Sequence, residues 1–237
     1  MKNEGPRTRQ NHLRGGAYLK DAVYAANDGI ITTFAVIAGV VGASLPPVTV
    51  VLLGIAYLLA DGFSMATSNY LGTKSERAYV RRERKIEEWE VKNIPEEEIA
   101  EVSAILRKKG YTDSEAEQFA RLIAKKPEFW VDFMVQEELG LPKNGLVSPL
   151  RGSLTTFIAF VAAGALPIMP YLFLWRQEAA FSLAALATGC ALFLVGSLRS
   201  NFTGRRWPVA GFEMFFVGGF AAVIAYGAGA LARQMLG

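Results

Sequence analysis

Residues 48–67 read VTVVLLGIAYLLADGFSMAT, a run of twenty with a single charged side chain, Asp61. As a helix rising 1.5 Å per residue, such a run is about 30 Å long, the thickness of a bilayer's hydrocarbon layer. Comparable stretches lie at Ala22 to Ala43, Leu154 to Trp175, Ala180 to Leu198 and Val209 to Leu231. The 237-residue chain is 51% hydrophobic and only 20% charged, too apolar for a soluble domain of this size. The expected fold is an all-α integral membrane protein: five transmembrane helices, with a helical insert between the second and third.

The expected divisions are a polar tail over 1–19, helices one and two within 20–73, the insert over 74–147, and helices three to five within 148–237. The tail has no apolar core, so no cleaved secretory signal is expected there and the first span serves as the insertion signal. Lys2, Arg7, Arg9, Arg14 and Lys20 flank span one, whereas the turn Ser44-Leu45-Pro46-Pro47 carries no charge. Lysine and arginine in short flanks favour the cytoplasmic side. That puts the N-terminus, the insert and the Arg199, Arg205, Arg206 loop inside. Arg176 with Glu178 and the C-terminal Arg233 then fall outside.

A formal net charge of +3 conceals strong segregation: 16 of the 22 acidic residues lie between Glu76 and Glu138. No basic face for nucleic acid is expected. The single cysteine, Cys190 in span four, excludes an intrachain disulfide or a cysteine-cluster metal site and reads as a small buried apolar side chain.

The insert has legible helix punctuation. Asn93-Ile94-Pro95 interrupts the continuation of span two, and Pro95 suits the first position of the next helix. That helix closes at Lys108-Lys109-Gly110, with basic residues in its last turn. Thr112-Asp113-Ser114-Glu115 is a capping-box pattern. A last helix starts near Pro127 and ends at Gly140, before Leu141-Pro142. Four short helices are expected, the first an extension of span two. No glycine-rich phosphate loop or nucleophile elbow occurs, so ATP-driven transport by this chain alone is unsupported.

On these helices Glu87 and Glu90 are spaced i,i+3, as are Glu98 and Glu101, while Met134 and Glu138 are i,i+4 with Glu137 adjacent. Residues at such spacing share a helix face, and like charges there cost about 0.2–0.5 kcal/mol per pair. A divalent ion would turn that repulsion into chelation. Carboxylate with thioether suits Fe²⁺, Mn²⁺, Co²⁺ or Zn²⁺ better than Ca²⁺. The plainer reading is that Glu96, Glu97 and Glu98 complement a helix dipole, that Arg81, Arg82, Arg84, Lys85 and Lys92 neutralise the acids, and that Met134 packs a small core.

Ionisable residues inside a span are costly and are functional candidates by default. Asp28 lies eight residues in from Lys20, Met65 nine from Lys74, and Asp61 one turn deeper. Asp61, Met65 and Asn69 form one stripe down span two, with Ser64 and Ser68 beside it, and Asn27, Thr32 and Thr33 surround Asp28. The stripe reads as an ion pathway. The alternative is that the two aspartates only hydrogen-bond between helices.

Asp28-Gly29-Ile30-Ile31-Thr32-Thr33-Phe34-Ala35-Val36-Ile37-Ala38-Gly39, Ser64-Met65, the acidic insert and Ser148-Pro149-Leu150 together resemble the vacuolar iron transporter family, from Leu19 onward. The resemblance implies a five-helix homodimer that exports Fe²⁺, often also Mn²⁺, from the cytoplasm in exchange for protons. It implies insert ligands at Glu87, Glu90, Glu98, Glu101, Met134 and Glu138, and pathway residues at Asp28 and Met65. Many members carry Gly-Glu-Tyr or Gly-Glu-Phe where this chain has Ser68-Asn69-Tyr70, so a membrane carboxylate is absent there and Asp61 sits two turns away.

The expected function is therefore a divalent-metal transporter, with protons, metal ions and lipid as partners and no permanently bound cofactor. Alternatives are a metal-sensing or metal-gated membrane protein with a regulatory insert, and a membrane di-iron enzyme. The enzyme would need Glu-x-x-His motifs, and the only histidine is His12 in the polar tail. Small residues such as Gly39, Gly42, Gly218, Gly219, Gly227 and Gly229 permit close helix packing without saying between which chains. A bacterial inner membrane is expected ahead of a vacuolar one.

Overall fold

Every regular element in the computed structural model is a helix, among the residues it describes: 12–141, 148–173 and 179–236. Arg7, Arg9, Pro142, Arg176 and Glu178 lie outside the described residues, as do the side chains of His12 and Arg14. In chain order the helices are α1 (His12–Gly42), α2 (Pro47–Asn93), α3 (Pro95–Lys108), α4 (Asp113–Ala124), α5 (Pro127–Glu137), α6 (Pro149–Gly164), α7 (Met169–Phe173), α8 (Ala180–Thr203) and α9 (Trp207–Leu236). The chain divides into two compact units, one of residues 1–71 with 147–237 and the other of residues 72–146.

Among the described residues, four helices are long and apolar enough to cross a membrane: Tyr18–Gly42, Pro47–Asn93, which continues into the smaller unit, Ala180–Ser200 and Trp207–Met235. They remain apolar where they are exposed. Leu52, Phe63, Phe216, Phe220 and Val223 all face outward, and a helix apolar all round belongs in lipid or in a large core. The chain is a multi-pass membrane protein.

The third expected span does not form one continuous helix. α6 has 16 residues, about 24 Å at 1.5 Å per residue, and stops at Gly164. Turns at residues 165–168 separate it from α7. Pro167 lacks the N–H that an uninterrupted helix would use. Both Pro167 and Ile168 are buried, the condition under which irregular backbone is tolerated at membrane depth.

Close backbone approaches fix the packing around α1. A Cβ at Gly29 would sit 2.5 Å from the Phe160 carbonyl oxygen, and one at Gly164 would sit 2.8 Å from that of Gly29. On the same helix, Gly42 abuts the Tyr226 backbone and Gly229 abuts that of Gly39. These small residues are used within the chain, joining α1 to α6 and α9, while Gly219 and Gly227 face open space. The core beneath comprises Ala25, Phe34, Ile37, Val40, Val50, Leu58, Phe160, Ile168 and Ala184.

Two side chains depart from or refine the sequence reading. Cys190 is exposed on α8 rather than buried, because the packed face of that helix carries Ala184, Thr188, Ala191 and Leu192. Glu213, charged within an apolar stretch, accepts from Arg199 and Arg205 at 3.2 Å each.

In the smaller unit the punctuation is as read from the sequence. Pro95 opens α3, whose last turn holds Arg107 and Lys108. The Thr112 side chain and Glu115 form both halves of a capping box, and Gly110 and Gly140 adopt positive φ just past helix ends. Val91, Val102, Leu106, Ala116, Ala120, Trp130, Val131, Met134 and Val135 make its core.

Candidate metal sites

Asp28, Asp61, Met65 and Asn69, the four pathway residues picked from the sequence, line a single open cavity of about 670 Å³. α1 contributes Asp28 and α2 contributes the other three, with Ser64 and Ser68. The two aspartates come within electrostatic range of each other. Asp28 sits one turn before Thr32, whose hydroxyl donates to the Asp28 carbonyl at 2.7 Å. The cavity therefore offers three hard carboxylates, from Asp21, Asp28 and Asp61, with hydroxyl and amide oxygens and one soft thioether. That donor set suits a borderline divalent cation.

Asn69 also has a structural task that its position in the sequence does not disclose. Its amide donates to the Thr156 hydroxyl at 3.1 Å, tying α2 to α6. Thr156 and Asp21 are cavity residues that sequence reasoning missed. Asp21 could have been found from its spacing: it is seven residues before Asp28, two turns along one face, with Tyr24 between. Thr156 gave no such signal, since a threonine in an apolar helix commonly back-bonds to its own helix. A Cβ at Gly152 would lie 3.1 Å from the Asn69 oxygen and 3.5 Å from an Asp21 oxygen, so Asp21 and Asn69 meet over the start of α6.

The smaller unit holds the second cluster. Glu87 lies on α2, Glu98 and Glu101 on α3 and Glu138 at the end of α5; with Glu90, they feel one another's charge. Glu87 is only 4% exposed and Glu98 only 2%, and each has a buried carboxylate oxygen with no hydrogen-bond partner. Burial, followed by repulsion from Glu138, Glu98, Glu90 and Glu101, pushes Glu87 up to about 8. Burial, with Glu101, Glu90 and Glu138, raises Glu98 to about 7, and Glu138 is raised for the same reasons.

Among the described residues, the nearby cations are committed elsewhere or do not pair with these acids. Arg84 pairs with Glu88 and Asp132, Lys109 with Glu137, Arg107 with Asp113 and Arg121 with Glu117. Among the described residues, none of Glu87, Glu90, Glu98, Glu101 or Glu138 has an ion-pair partner. Unpaired acids held in a partly buried cluster are costly unless protonated or bound to a cation. Met134 is fully buried in the hydrophobic core, as the packing reading expected, and lies one turn before Glu138. As placed, the side chains do not close into a ligand shell: among the described residues no three acidic, histidine or cysteine side chains are close enough to hold an ion together.

The model of the VIT family matches residues 19–230, nearly the whole chain. The chain belongs to the VIT family. Among its relatives, a protein of Arabidopsis thaliana named vacuolar iron transporter 1 is 34% identical over 217 residues, covering 92% of this chain and 87% of that protein. A vacuolar iron transporter of Toxoplasma gondii is 34% identical over 240 residues, covering 97% and 79%. A rice protein named vacuolar iron transporter 1 is 31% identical over 218 residues, covering 92% and 86%. With VIT family membership the enzyme reading falls away, since these relatives are named as transporters. Their names are vacuolar, and nothing in them supports the bacterial inner membrane expected from the sequence.

Proposed function

We propose that this VIT family chain carries Fe²⁺, and with it Mn²⁺, from the cytoplasm across the membrane in exchange for protons. The observation that carries this reading is the convergence of Asp28, Asp61, Met65 and Asn69, from two helices, on one cavity. Glu87, Glu90, Glu98, Glu101 and Glu138, with the Met134 thioether, collect the ion in the insert. Asp28, Asp61 and Met65 receive it in the membrane unit. Protons arriving from the far side compete for the same carboxylates, remove the charge that holds the metal and release it, so the cycle needs no nucleotide.

The topology proposed is five crossings, with the N-terminus and insert cytoplasmic. Its support is internal to the larger unit. Lys20 of α1 shares a cavity with Arg199 and Thr203 at the end of α8. At the opposite end of α1, Arg233 donates to the Ser44 hydroxyl at 2.6 Å. α6 begins near Tyr18, whose hydroxyl accepts the Ser148 N–H at 3.1 Å, and Ile168 after it touches the Gly54 position near the start of α2. α6 and α7 together thus cover the depth of one span in two pieces. We further infer a homodimer, in which the open faces at Gly219 and Gly227 are available for contact with a second chain.

The test is uptake of Fe²⁺ and Mn²⁺ into proteoliposomes under an imposed pH gradient. Wild type should show gradient-driven uptake, Asp28→Ala none, and a variant lacking Glu87, Glu90, Glu98 and Glu101 a reduced rate. Uptake by a folded, inserted Asp28→Ala protein at the wild-type rate would overturn the pathway.

A further inference from the structure

We propose that the cavity bounded by α1, α8 and α9 is a binding site for the headgroup of an anionic phospholipid. The cavity is about 300 Å³ and is separate from the one holding Asp28 and Asp61. Its polar wall is cationic, with Lys20 from α1 and Arg199 from α8, and Thr203 adds a hydroxyl. Apart from Asn27, the remaining wall is apolar: Val23, the Tyr24 ring and Met214. Two cations over an apolar floor match a phosphate attached to hydrocarbon better than a free, fully hydrated anion.

Charge counting around the site points the same way. Lys20 has no ion-pair partner among the described residues. Arg199 and Arg205 share the single acid Glu213, and Arg206 follows Arg205 in the same turn. Arg199 is thus only partly neutralised, because its one acid is shared with a second arginine. Asn27, another lining residue, has a buried side-chain oxygen with no donor, so a headgroup hydroxyl, as in a phosphatidylglycerol, would satisfy it. Trp207, 60% exposed beside this turn, is the residue type that marks the headgroup level of a bilayer.

Lys20 and Tyr24 line both this cavity and the one containing Asp28 and Asp61. A phosphate held on Lys20 offsets a positive charge that otherwise repels a cation entering the second cavity. Anionic lipid therefore promotes metal entry. This consequence rests on the transport reading above, whereas headgroup binding does not.

The experiment is the thermal unfolding of the full-length protein in non-ionic detergent, free of metal ions, with added phosphatidylglycerol, phosphatidylcholine or inorganic phosphate. Phosphatidylglycerol should raise the midpoint by a few degrees, the scale expected for saturating one ligand on a chain of this size. Arg199→Gln should abolish the rise while leaving Glu213 paired with Arg205; Lys20→Gln should also abolish it, and Arg199→Lys should retain part of it. Arg206→Gln, outside the cavity lining, should leave it intact. An equal rise with phosphatidylcholine, an equal rise with phosphate, or equal losses in Arg199→Gln and Arg206→Gln would each overturn the site, pointing to acyl-chain, soluble-anion or diffuse rim binding. In proteoliposomes, metal uptake should increase with the phosphatidylglycerol fraction in wild type and not in Lys20→Gln. Absence of uptake in every lipid would count against transport and leave the detergent result standing.

Discussion

Replacing Glu87 by glutamine should make the metal-free protein more stable at pH 8, an unusual outcome for altering a buried polar residue. The Glu87 carboxyl is held at about 8 against an ordinary 4.5. The folded state therefore keeps a proton that the unfolded chain releases. For such a raised carboxyl, the stability present below pH 4.5 is lost as the pH climbs towards the folded-state value near 8, because deprotonation favours the unfolded chain throughout that window. At about 1.4 kcal/mol per pH unit, the whole shift corresponds to an upper limit of about 5 kcal/mol. Glu98 and Glu138 are raised in the same cluster, so a contribution of about 1–2 kcal/mol from Glu87 alone is the working figure. Glutamine has the same shape and no charge, so it escapes this penalty. Pulse proteolysis within residues 72–141 along a urea series reads the opening equilibrium of this unit in the intact protein. Glu87→Gln should exceed wild type by that amount at pH 8 and match it at pH 4.5. Adding Mn²⁺ at about a hundred times its dissociation constant should then stabilise wild type by about 2.7 kcal/mol and the variant much less, inverting the order. A variant less stable than wild type at pH 8 without metal, or one whose effect is the same at both pH values, would refute the reasoning.

Three further outcomes follow from particular contacts. Thr156→Val removes the acceptor for Asn69 and should cost about 1 kcal/mol in thermal unfolding of the detergent-solubilised protein, with slower metal uptake because the α2 wall of the cavity is no longer tied to α6. Gly29→Leu forces a side chain against the Phe160 backbone and should lower stability by at least about 1–3 kcal/mol, seen as loss of folded protein on size-exclusion chromatography, whereas substitution at Gly72, which faces open space, should have no such effect. Thr112→Ala deletes the capping box and should destabilise the smaller unit by about 1 kcal/mol, measurable by the same pulse proteolysis and without altering metal stoichiometry.

Membrane class, the helix ends of the insert and the identities of the acidic pairs were legible in the linear chain, because each depends on neighbours within a few residues. A twenty-residue apolar run, Pro95 at a helix start, Thr112 with Glu115, and glutamates at i,i+3 are all local. Asp28, Met65 and Asp61 were matched by depth counting, which works because helix rise is constant. The family resemblance carried by residues 28–39 was readable for the same reason: a motif is contiguous. Other features required the packed chain. The break between α6 and α7 turns on whether backbone at Pro167 can be buried, and the seating of the α1 glycines on α6 and α9 depends on which surfaces meet. Arg84 stood one turn from the site glutamates in sequence yet is committed to Asp132, forty-eight residues away. With Arg84 so committed, Glu87 and Glu98 have no ion-pair partner among the described residues, and burial with mutual repulsion raises both. Likewise, Thr156 reaches Asn69 across eighty-seven residues, a distance over which local periodicity carries no information. Local rules decide what each segment can be; which charges stay unpaired, and so where a cation is wanted, is decided by contacts that exist only after the helices have packed.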